Sequence, residues 1–344
     1  MGTLGERYTR VLNTIIVQYI FTGEPVGSRT VAKKSDLRLS SATIRNIMMD
    51  LEEQGFLTQP HPSAGRVPTA AAFRYYVNHF LGNDNLGRDT QMQIEEGFVP
   101  PATELPNLLR QASRILSAVS GHPAIVRSPR IASILLKHIQ FISLGGKKIL
   151  VVLVTRDGMV QNRFLEGEEE LSQEQLDKFS RYLNELCKDL SLVEARQRVL
   201  AEIQEERILF DNILSSVLTL SQKALQEADN GQLYIEGASK ILAYPEFSEI
   251  EKIKGLYRAF EEKHNLIKLL DRSLEAQGIQ IFISSEMQFS DLELSLVTYN
   301  YRRELSPVGT LGVIGPMRMD YARVIPMVKY TATMVSNLLD KWRV

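Results

Sequence analysis

The sequence has a single cysteine, five histidines and no long apolar stretch. Cys187 has no partner for an intrachain disulfide, and so little cysteine is typical of a reducing compartment. The most apolar run, "ILVVLV" at Ile149–Val154, is far shorter than the roughly 20 residues that cross a bilayer. The N-terminus shows no apolar segment after basic residues, so we predict no signal peptide. These absences indicate a cytoplasmic protein without a membrane span.

Residues that carry enzyme chemistry are equally sparse. The histidines stand at no metal-ligand spacing from one another or from Cys187. The segment "SLGGKKI" lacks the Walker pattern of phosphate-binding loops and is typical of a hairpin turn. We find no convergent set of acid, base and nucleophile, which an enzyme would need. The sequence therefore predicts no catalytic residue, no cofactor and no metal site.

The charge of the chain is unevenly distributed. The net charge of −1 gives the chain as a whole no polyanion-binding signature. Residues 1–81, however, contain nine Lys and Arg against six Asp and Glu, a net charge of +3, which leaves about −4 on the remainder. A basic excess confined to one end is typical of a local anion-binding module.

The N-terminal segment alternates helical patterns with turn signals. Apolar residues recur on one helical face through residues 4–22, Ser28 is placed to cap a short second helix, and Ser40 is placed to cap a third. Two short strands follow around the loop "PHPSAGR", after which Thr69 is placed to cap a fourth helix. This order of elements predicts a winged helix-turn-helix DNA-binding domain at residues 1–81.

The remaining chain divides by composition. Residues 82–106 are polar and then proline-rich, which predicts a linker. Residues 107–170 and 232–344 combine helices, hairpin signals and β-branched strands, whereas residues 171–231 favour long helices. We therefore predict an α+β multidomain protein in which a helical insertion interrupts one α+β domain.

Such an interruption has consequences for pairing and assembly. Strands near residue 140 are expected to pair with strands near residue 310 across the insertion. The helical residues 171–231 could supply a self-complementary dimer surface or form a bundle within one chain, and the sequence leaves both interpretations open. A twofold dimer would suit an inverted-repeat DNA site.

The stretch "LSSATIRNIMMDLEEQGFL" has two distinct faces when it is helical. One face is apolar and comprises Ile44, Ile47, Met48 and Leu51. The other sides carry Met49 together with Ser, Thr, Arg and Asn residues. Polar side chains of these types contact phosphates and base edges in DNA, and the first turn has no acid. An ordinary amphipathic surface helix is the alternative interpretation. The predicted DNA-binding residues are Ser28, Arg29, Ser40, Ser41, Thr43, Arg45, Asn46 and Arg66, with Arg66 at the tip of the hairpin loop.

Long stretches of the chain resemble one known family. "VGSRTVAKKSDLRLSSATIRNIMMDLEEQGFL", followed by "SAGRVPT" and "FRYYV", is similar to the heat-inducible transcription repressors of the bacterial HrcA family. The similarity continues with "GKKILVVLVTRDGMVQNRF", "LYIEGASKIL", "YPEF" and "GTLGVIGPMRMDYARVIPMV". It therefore covers nearly the whole chain, in order.

The resemblance implies a fold and a function beyond those that the residue patterns predict. It implies that the discontinuous α+β domain is GAF-like and that the inserted helical domain dimerises. It further implies a repressor of chaperone operons that binds, as a dimer, an inverted-repeat operator called CIRCE. The chaperonin GroEL would assist the repressor into its active state, so repression would lapse when unfolded protein occupies the chaperonin.

Two other functions are weighed against this one. GAF-like folds bind small molecules in other proteins, so a ligand-responsive winged-helix regulator is the second hypothesis. An enzyme that uses the GAF-like domain is the third, and it would require a cleft with convergent reactive groups. Near the last strand, "GPMRMDY" brings Arg318 close to Asp320 in sequence, and we interpret them as an ion pair or loop anchor rather than a ligand site.

Overall fold

A computed structural model shows a mixed α/β protein built from helices and antiparallel sheets. The structure describes residues 4–80, 86–99, 104–129, 135–156, 160–167, 170–188, 190–191, 194–195, 197–199, 201, 232–261, 263–287, 292–303 and 306–341.

The helices and strands are numbered here in chain order. The helices are α1 (Glu6–Thr22), α2 (Ser28–Lys34), α3 (Ser41–Glu53), α4 (Ala70–Phe80), α5 (Arg88–Gly97), α6 (Leu105–Ser120), α7 (Gln173–Leu186), α8 (Ile250–Glu261), α9 (Lys263–Glu275) and α10 (Tyr321–Lys341). The strands are β1 (Leu57–Thr58), β2 (Val67–Pro68), β3 (Ala124–Arg127), β4 (Leu136–Ser143), β5 (Lys148–Thr155), β6 (Val160–Glu166), β7 (Leu233–Glu236), β8 (Gln280–Ile283), β9 (Leu294–Arg303) and β10 (Ser306–Pro316).

The first four helices and the β1–β2 hairpin form an N-terminal unit. Their predicted order is confirmed, and so is the cap of α3, since the Ser40 hydroxyl accepts the Thr43 N–H at 3.1 Å. The predicted cap of α2 is wrong. Gly27 occupies the N-cap with extended backbone angles, which places Ser28 inside the first turn, where its side chain makes no cap.

The segment predicted as a linker, residues 82–106, contains regular structure. It holds all of α5 and the start of α6, and the buried Ile94 fixes α5 to the core. Helix α5 has a polar sequence with few apolar residues, so its helical periodicity is weak and the sequence does not predict it. The Gln111 amide strengthens the contact by donating to the Gly97 carbonyl at 2.9 Å.

A five-stranded antiparallel sheet forms the centre of the C-terminal part, in the order β7-β3-β10-β9-β8. Helices α6 and α10 cover one face, and α8 and α9 cover the other. Strand β10 is buried along most of its length because both of its faces carry helices, which explains its nearly continuous apolar sequence. Within the described ranges, no helix has both the length and the apolarity needed to cross a membrane.

The expected pairing of strands near residues 140 and 310 is wrong. Strands β4, β5 and β6 form a separate three-stranded sheet, covered on one face by α7. Strand β10 instead pairs with β3 and β9, and β3 also pairs with β7. The segment that interrupts the five-stranded sheet therefore begins before β4 and includes residues we had assigned to the interrupted domain. The helices predicted within residues 202–231 lie outside the described residues.

Arg318 links the N-terminal unit to the five-stranded sheet. Its guanidinium forms a two-pronged ion pair with Glu246, one prong at 3.1 Å, and also donates to the Ile20 carbonyl at 3.2 Å. The loop-anchor interpretation of Arg318 holds, but with Glu246 as the partner in place of Asp320. The Asp320 carboxylate instead accepts the Arg323 N–H at 3.2 Å, at the start of α10.

Gly23 and Gly55 both have left-handed backbone angles, but only Gly23 lies against a neighbouring side chain. Substitutions at the two positions therefore separate the cost of backbone strain from the cost of a displaced contact. Gly23 has φ +68, and a Cβ added there would lie 3.1 Å from the Arg318 guanidinium carbon, whereas Gly55 has φ +79 and open space. We expect Gly55→Ala to lower the free energy of unfolding by about 1 kcal/mol through backbone strain alone. Gly23→Ala should cost about 2–3 kcal/mol, because it also displaces a charged hydrogen-bonding group. Equal losses in urea unfolding would contradict this prediction.

Candidate nucleic-acid interface

Helix α3 is held rigidly on the N-terminal unit by its apolar face. Ile44 and Leu51 are fully buried, and Ile47 and Met48 are nearly so, which confirms the predicted core face. Gly55 follows the helix with positive φ, so the chain can turn directly into β1. The opposite face of α3 therefore has a fixed direction toward solvent.

The predicted reading residues lie together on this exposed side. Ser41, Thr43, Arg45 and Asn46 are all exposed. Within the described part of the chain, neither Arg45 nor Asn46 has a hydrogen-bond or ion-pair partner. Ser40 and Thr43 are less free, because their hydroxyl oxygens lie 2.9 Å apart in the helix cap. The long side chains available to a ligand are thus those of Arg45 and Asn46.

The acids of α3 are largely occupied by partners within the protein. The Tyr8 hydroxyl donates to the Asp50 carboxylate at 2.6 Å, and this contact raises the pKa of Tyr8. Glu52 forms an ion pair with Arg66 at 2.8 Å. The first turn of α3 contains no acid, so the positive end of its dipole is not neutralised by a neighbouring carboxylate. The N-terminal half of the helix is accordingly suited to an anionic ligand.

The sequence-based set of site residues omitted Met49 and Ala42. Met49 is 42% exposed although it is large and apolar, and Ala42 is also exposed. Both lie between Arg45 and Asn46 on the helical wheel, at the centre of the outward face. Helical periodicity already places Met49 away from the buried face, but the predicted contact set is restricted to polar and charged residues and therefore excludes Met49 and Ala42. Apolar groups in this position could contact thymine methyl groups in a major groove.

Helix α2 contributes one exposed candidate. Arg29 is exposed and, among the described residues, has no ion-pair partner, whereas Ser28 is half-buried. Both follow the Gly27 N-cap, so they lie in the first turn of α2. Arg29 is therefore available to a ligand that lies along the start of α2.

The structure does not place Arg66 at the tip of the hairpin loop. Its backbone forms a bridge with Val26, with both N–H to O distances at 2.9 Å, and this bridge lies at the base of the hairpin. Its side chain is 16% exposed and is paired with Glu52. The sequence placed Arg66 by its proximity to Pro and Gly and could not reveal the bridge to a residue forty positions earlier. Arg66 fastens the hairpin to α3.

The first residues of the hairpin loop include no Lys, Arg, Asp or Glu. Pro60, His61, Pro62 and Ser63 are exposed there. The Gln59 amide holds the loop closed by donating to the Pro62 carbonyl at 2.9 Å and to the Ala64 carbonyl at 3.1 Å. These two bonds hold the backbone of the loop in a closed turn beyond β1.

Two potentially reactive side chains outside the N-terminal unit, Cys187 and His122, are buried. Burial raises the pKa of the Cys187 thiol to about 11 and lowers the pKa of His122 to about 4. His122 stacks on Tyr244, with ring centroids 5.4 Å apart. In the described residues no three His, Cys, Asp or Glu side chains are grouped to hold a metal ion.

Comparison with known proteins identifies the class and the family to which the chain belongs. Residues 106–325 match the family model described as "HrcA protein C terminal domain". The heat-inducible transcription repressor HrcA of Geobacter sulfurreducens is 46% identical over 341 residues, and that of Syntrophobacter fumaroxidans is 42% identical over 344 residues. Each alignment covers 99% of both chains.

One solved structure is similar over the whole length. A crystal structure of a hypothetical protein superposes with a TM-score of 0.62 at 22% sequence identity, covering 98% of this chain and 99% of its own. It supports the overall fold alone.

These matches define the class of protein: a transcription repressor, not an enzyme. The chain belongs to the heat-inducible transcription repressor HrcA family. The family resemblance read from the sequence motifs is thereby confirmed, and the ligand-responsive alternative is not favoured.

The position of Arg66 leads to a prediction that separates structure from DNA contact. We expect Arg66→Ala to lower the free energy of unfolding by about 1–2 kcal/mol, because Glu52 loses its partner in a partly buried site. Its DNA binding should keep the wild-type salt dependence. The control Arg29→Ala should leave thermal stability unchanged and reduce the salt slope by about 1. A reduced salt slope for Arg66→Ala would contradict this assignment.

Proposed function

We propose that the N-terminal unit is a winged helix-turn-helix that reads an inverted-repeat operator of the CIRCE type as part of a homodimer, and that the GroEL chaperonin controls its activity. The observation that carries the proposal is the exposed face of α3, with Arg45 and Asn46 free and the acids Asp50 and Glu52 internally paired. In the proposed pose α3 enters the major groove, and the β1–β2 hairpin is the wing.

Two residue types support base reading by this face. An arginine guanidinium can bond both acceptors of guanine, and an asparagine amide can bond adenine in the same bidentate manner. Ser28, Arg29, Ser40, Ser41 and Thr43 are suited to phosphate contacts that fix the register. Arg66 is withdrawn from the proposed contacts because its guanidinium is committed to Glu52.

An exposed apolar sheet face supports the homodimer. The β4–β5–β6 sheet buries one face against α7, and its other face carries Ile142, Val160 and Phe164, which are 36%, 58% and 76% exposed. No described residue covers this face. An apolar patch on a repressor that must place two reading helices is suited to a second copy of the chain. The proposed dimer surface thus includes this sheet as well as residues 171–231.

The sheet topology supports dependence on a chaperonin. The GAF-like assignment that we propose for the five-stranded sheet requires β3 to pair with β7 and β10 across intervening segments of more than a hundred residues. Pairing across such separations is slow, and the apolar strands remain exposed meanwhile. Such a chain would be a good client of the chaperonin in the cytoplasm.

The direct test is a gel shift with DNA that contains the inverted repeat of a chaperone promoter. We expect the purified protein to bind this DNA more tightly than a scrambled duplex of equal length, and more of it to bind after treatment with chaperonin and nucleotide. Failure to prefer the inverted repeat at low salt, even after chaperonin treatment, would refute the proposed function.

Substitutions on α3 should separate base contacts from phosphate contacts. We expect Arg45→Ala and Asn46→Ala each to weaken operator binding by about 1–3 kcal/mol, because each removes a bidentate contact. Arg88→Ala, which removes an exposed charge outside the N-terminal unit, serves as the control and should bind normally. Equal losses on operator and scrambled DNA would mean that these side chains contact only phosphates.

A substitution on the exposed sheet face should test the dimer. We expect Phe164→Asp to yield monomers in sedimentation analysis, because it places a charge in an apolar interface. Arg88→Asp is the control, since Arg88 is exposed and lies outside the proposed dimer surface. A Phe164→Asp protein that sediments as the wild-type dimer would exclude this face from the interface.

A further inference from the structure

Two arginines connect the N-terminal unit to the five-stranded sheet unit. Arg318 follows β10 and reaches the end of α1, and Arg74 extends from α4 to the β8 strand. In both cases the guanidinium contacts a carboxylate and a main-chain carbonyl. We call these contacts the Arg318 clamp and the Arg74 clamp.

The Arg318 clamp is largely removed from solvent. The Arg318 and Glu246 side chains are 13% and 21% exposed, and the guanidinium carbon lies 5.6 Å from the centre of the Tyr244 ring. The carbonyl of Ile20, which accepts from Arg318, belongs to the last turn of α1. A cation is favoured there, because the carbonyl end of a helix carries partial negative charge. The planar guanidinium satisfies three acceptors, which fixes the angle at which α1 meets the sheet unit.

The Arg74 clamp holds a second point of the N-terminal unit. Arg74 pairs with Glu286 and donates to the Ile281 carbonyl at 2.6 Å. Beside it, the Phe73 ring packs on Tyr321, with centroids 6.2 Å apart. Two separated points of attachment prevent the N-terminal unit from pivoting about either one.

Packed side chains connect α1, which the Arg318 clamp holds, to α3. Leu12, Ile15 and Ile16 of α1 are fully buried in the same apolar cluster as Ile44 and Leu51 of α3. Close-packed side chains transmit displacement with little compliance. The direction of α3 is therefore tied to the direction of α1, which the clamps fix on the sheet unit.

We propose that Arg318 and Arg74 are positioning residues for operator recognition: they fix the direction of α3 relative to the rest of the chain and thereby set the half-site spacing that the dimer accepts. The inference rests on the proposed function, since it requires a dimer that reads two half-sites. Neither arginine contacts DNA. One added base pair moves a half-site by about 3.4 Å and rotates it by about 35°, which a rigid pair of reading helices would not tolerate.

The first experiment measures spacing selectivity. Operators with the natural spacer, and with one base pair added or removed, are compared with a single half-site. We expect the wild type to prefer the natural spacer on the order of tenfold, and Arg318→Ala to reduce that preference to about twofold or threefold, because a loose unit has a lower effective concentration at the natural spacing. The affinity for the single half-site should be unchanged.

Control variants separate the clamp from general stability. Arg323→Ala removes a nearby exposed arginine, in the first turn of α10, and should keep wild-type selectivity. Glu246→Gln weakens the Arg318 clamp without removing the arginine, and Arg74→Ala tests the second point. Unchanged selectivity in a folded Arg318→Ala protein would overturn the proposal. A loss of affinity for the single half-site as large as the loss for the full operator would also overturn it. A gain in affinity for the operator would do the same.

The second experiment needs no DNA and remains informative if the operator proposal fails. Spin labels at Glu53→Cys in α3 and Lys329→Cys in α10 report the distance between the two units, with excess unlabelled chain to isolate single protomers. Cys187 is 1% exposed and would remain unlabelled. We expect a narrow distance distribution that broadens in Arg318→Ala but not in Arg323→Ala. If the distance distribution of Arg318→Ala is as narrow as that of the wild type, this arginine does not fix the N-terminal unit relative to the five-stranded sheet.

Discussion

The packing of α1 against α3 is the contact on which the rest of the N-terminal unit depends. Helix α1 buries Leu12, Ile15 and Ile16 completely, and these side chains share one apolar cluster with Ile44 and Leu51 of α3. Helix α3 is only 13 residues long and would be marginal in isolation. Its stability and its direction therefore both derive from α1. Every polar group on the outer face of α3 has a defined position because the inner face is fixed.

A second consequence of this arrangement is electrostatic. A helix that reads DNA must present cations and amides while keeping its own carboxylates away from phosphates. Here Tyr8, on α1, binds Asp50, and Arg66, at the base of the hairpin, binds Glu52. The neighbours that hold α3 in place thus also occupy two of its acids. Arg66 therefore neutralises a carboxylate of α3 from within the protein.

The sequence could predict those parts of the structure whose signals are local. Periodicity and capping residues located α1, α3 and α10, and the apolar face of α3 was correct at each of its four positions. Signals that depend on distant partners could not be predicted. The pairing of β10 with β3, the bridge that removes Arg66 from the loop tip, and the docking of α5 through Ile94 are all decided by tertiary contacts. In the candidate site the sequence predicted the helix, its polar residues and the outward side of Met49, but the degree to which this apolar side chain is exposed is a property of the fold.

The order of elements along the chain couples the five-stranded sheet to the N-terminal unit. Strand β10 ends at Pro316, and Arg318 lies two residues later, so the position of Arg318 is set only once β10 has joined β3 and β9. Its partner Glu246 follows β7, which pairs with β3 on the far side of the insertion. The Arg318 clamp therefore requires that both β7 and β10 have joined the sheet in register. In the proposed scheme, a chain whose sheet has not closed would carry a folded α3 with no fixed direction, which gives a physical reason why assistance with folding would govern operator recognition.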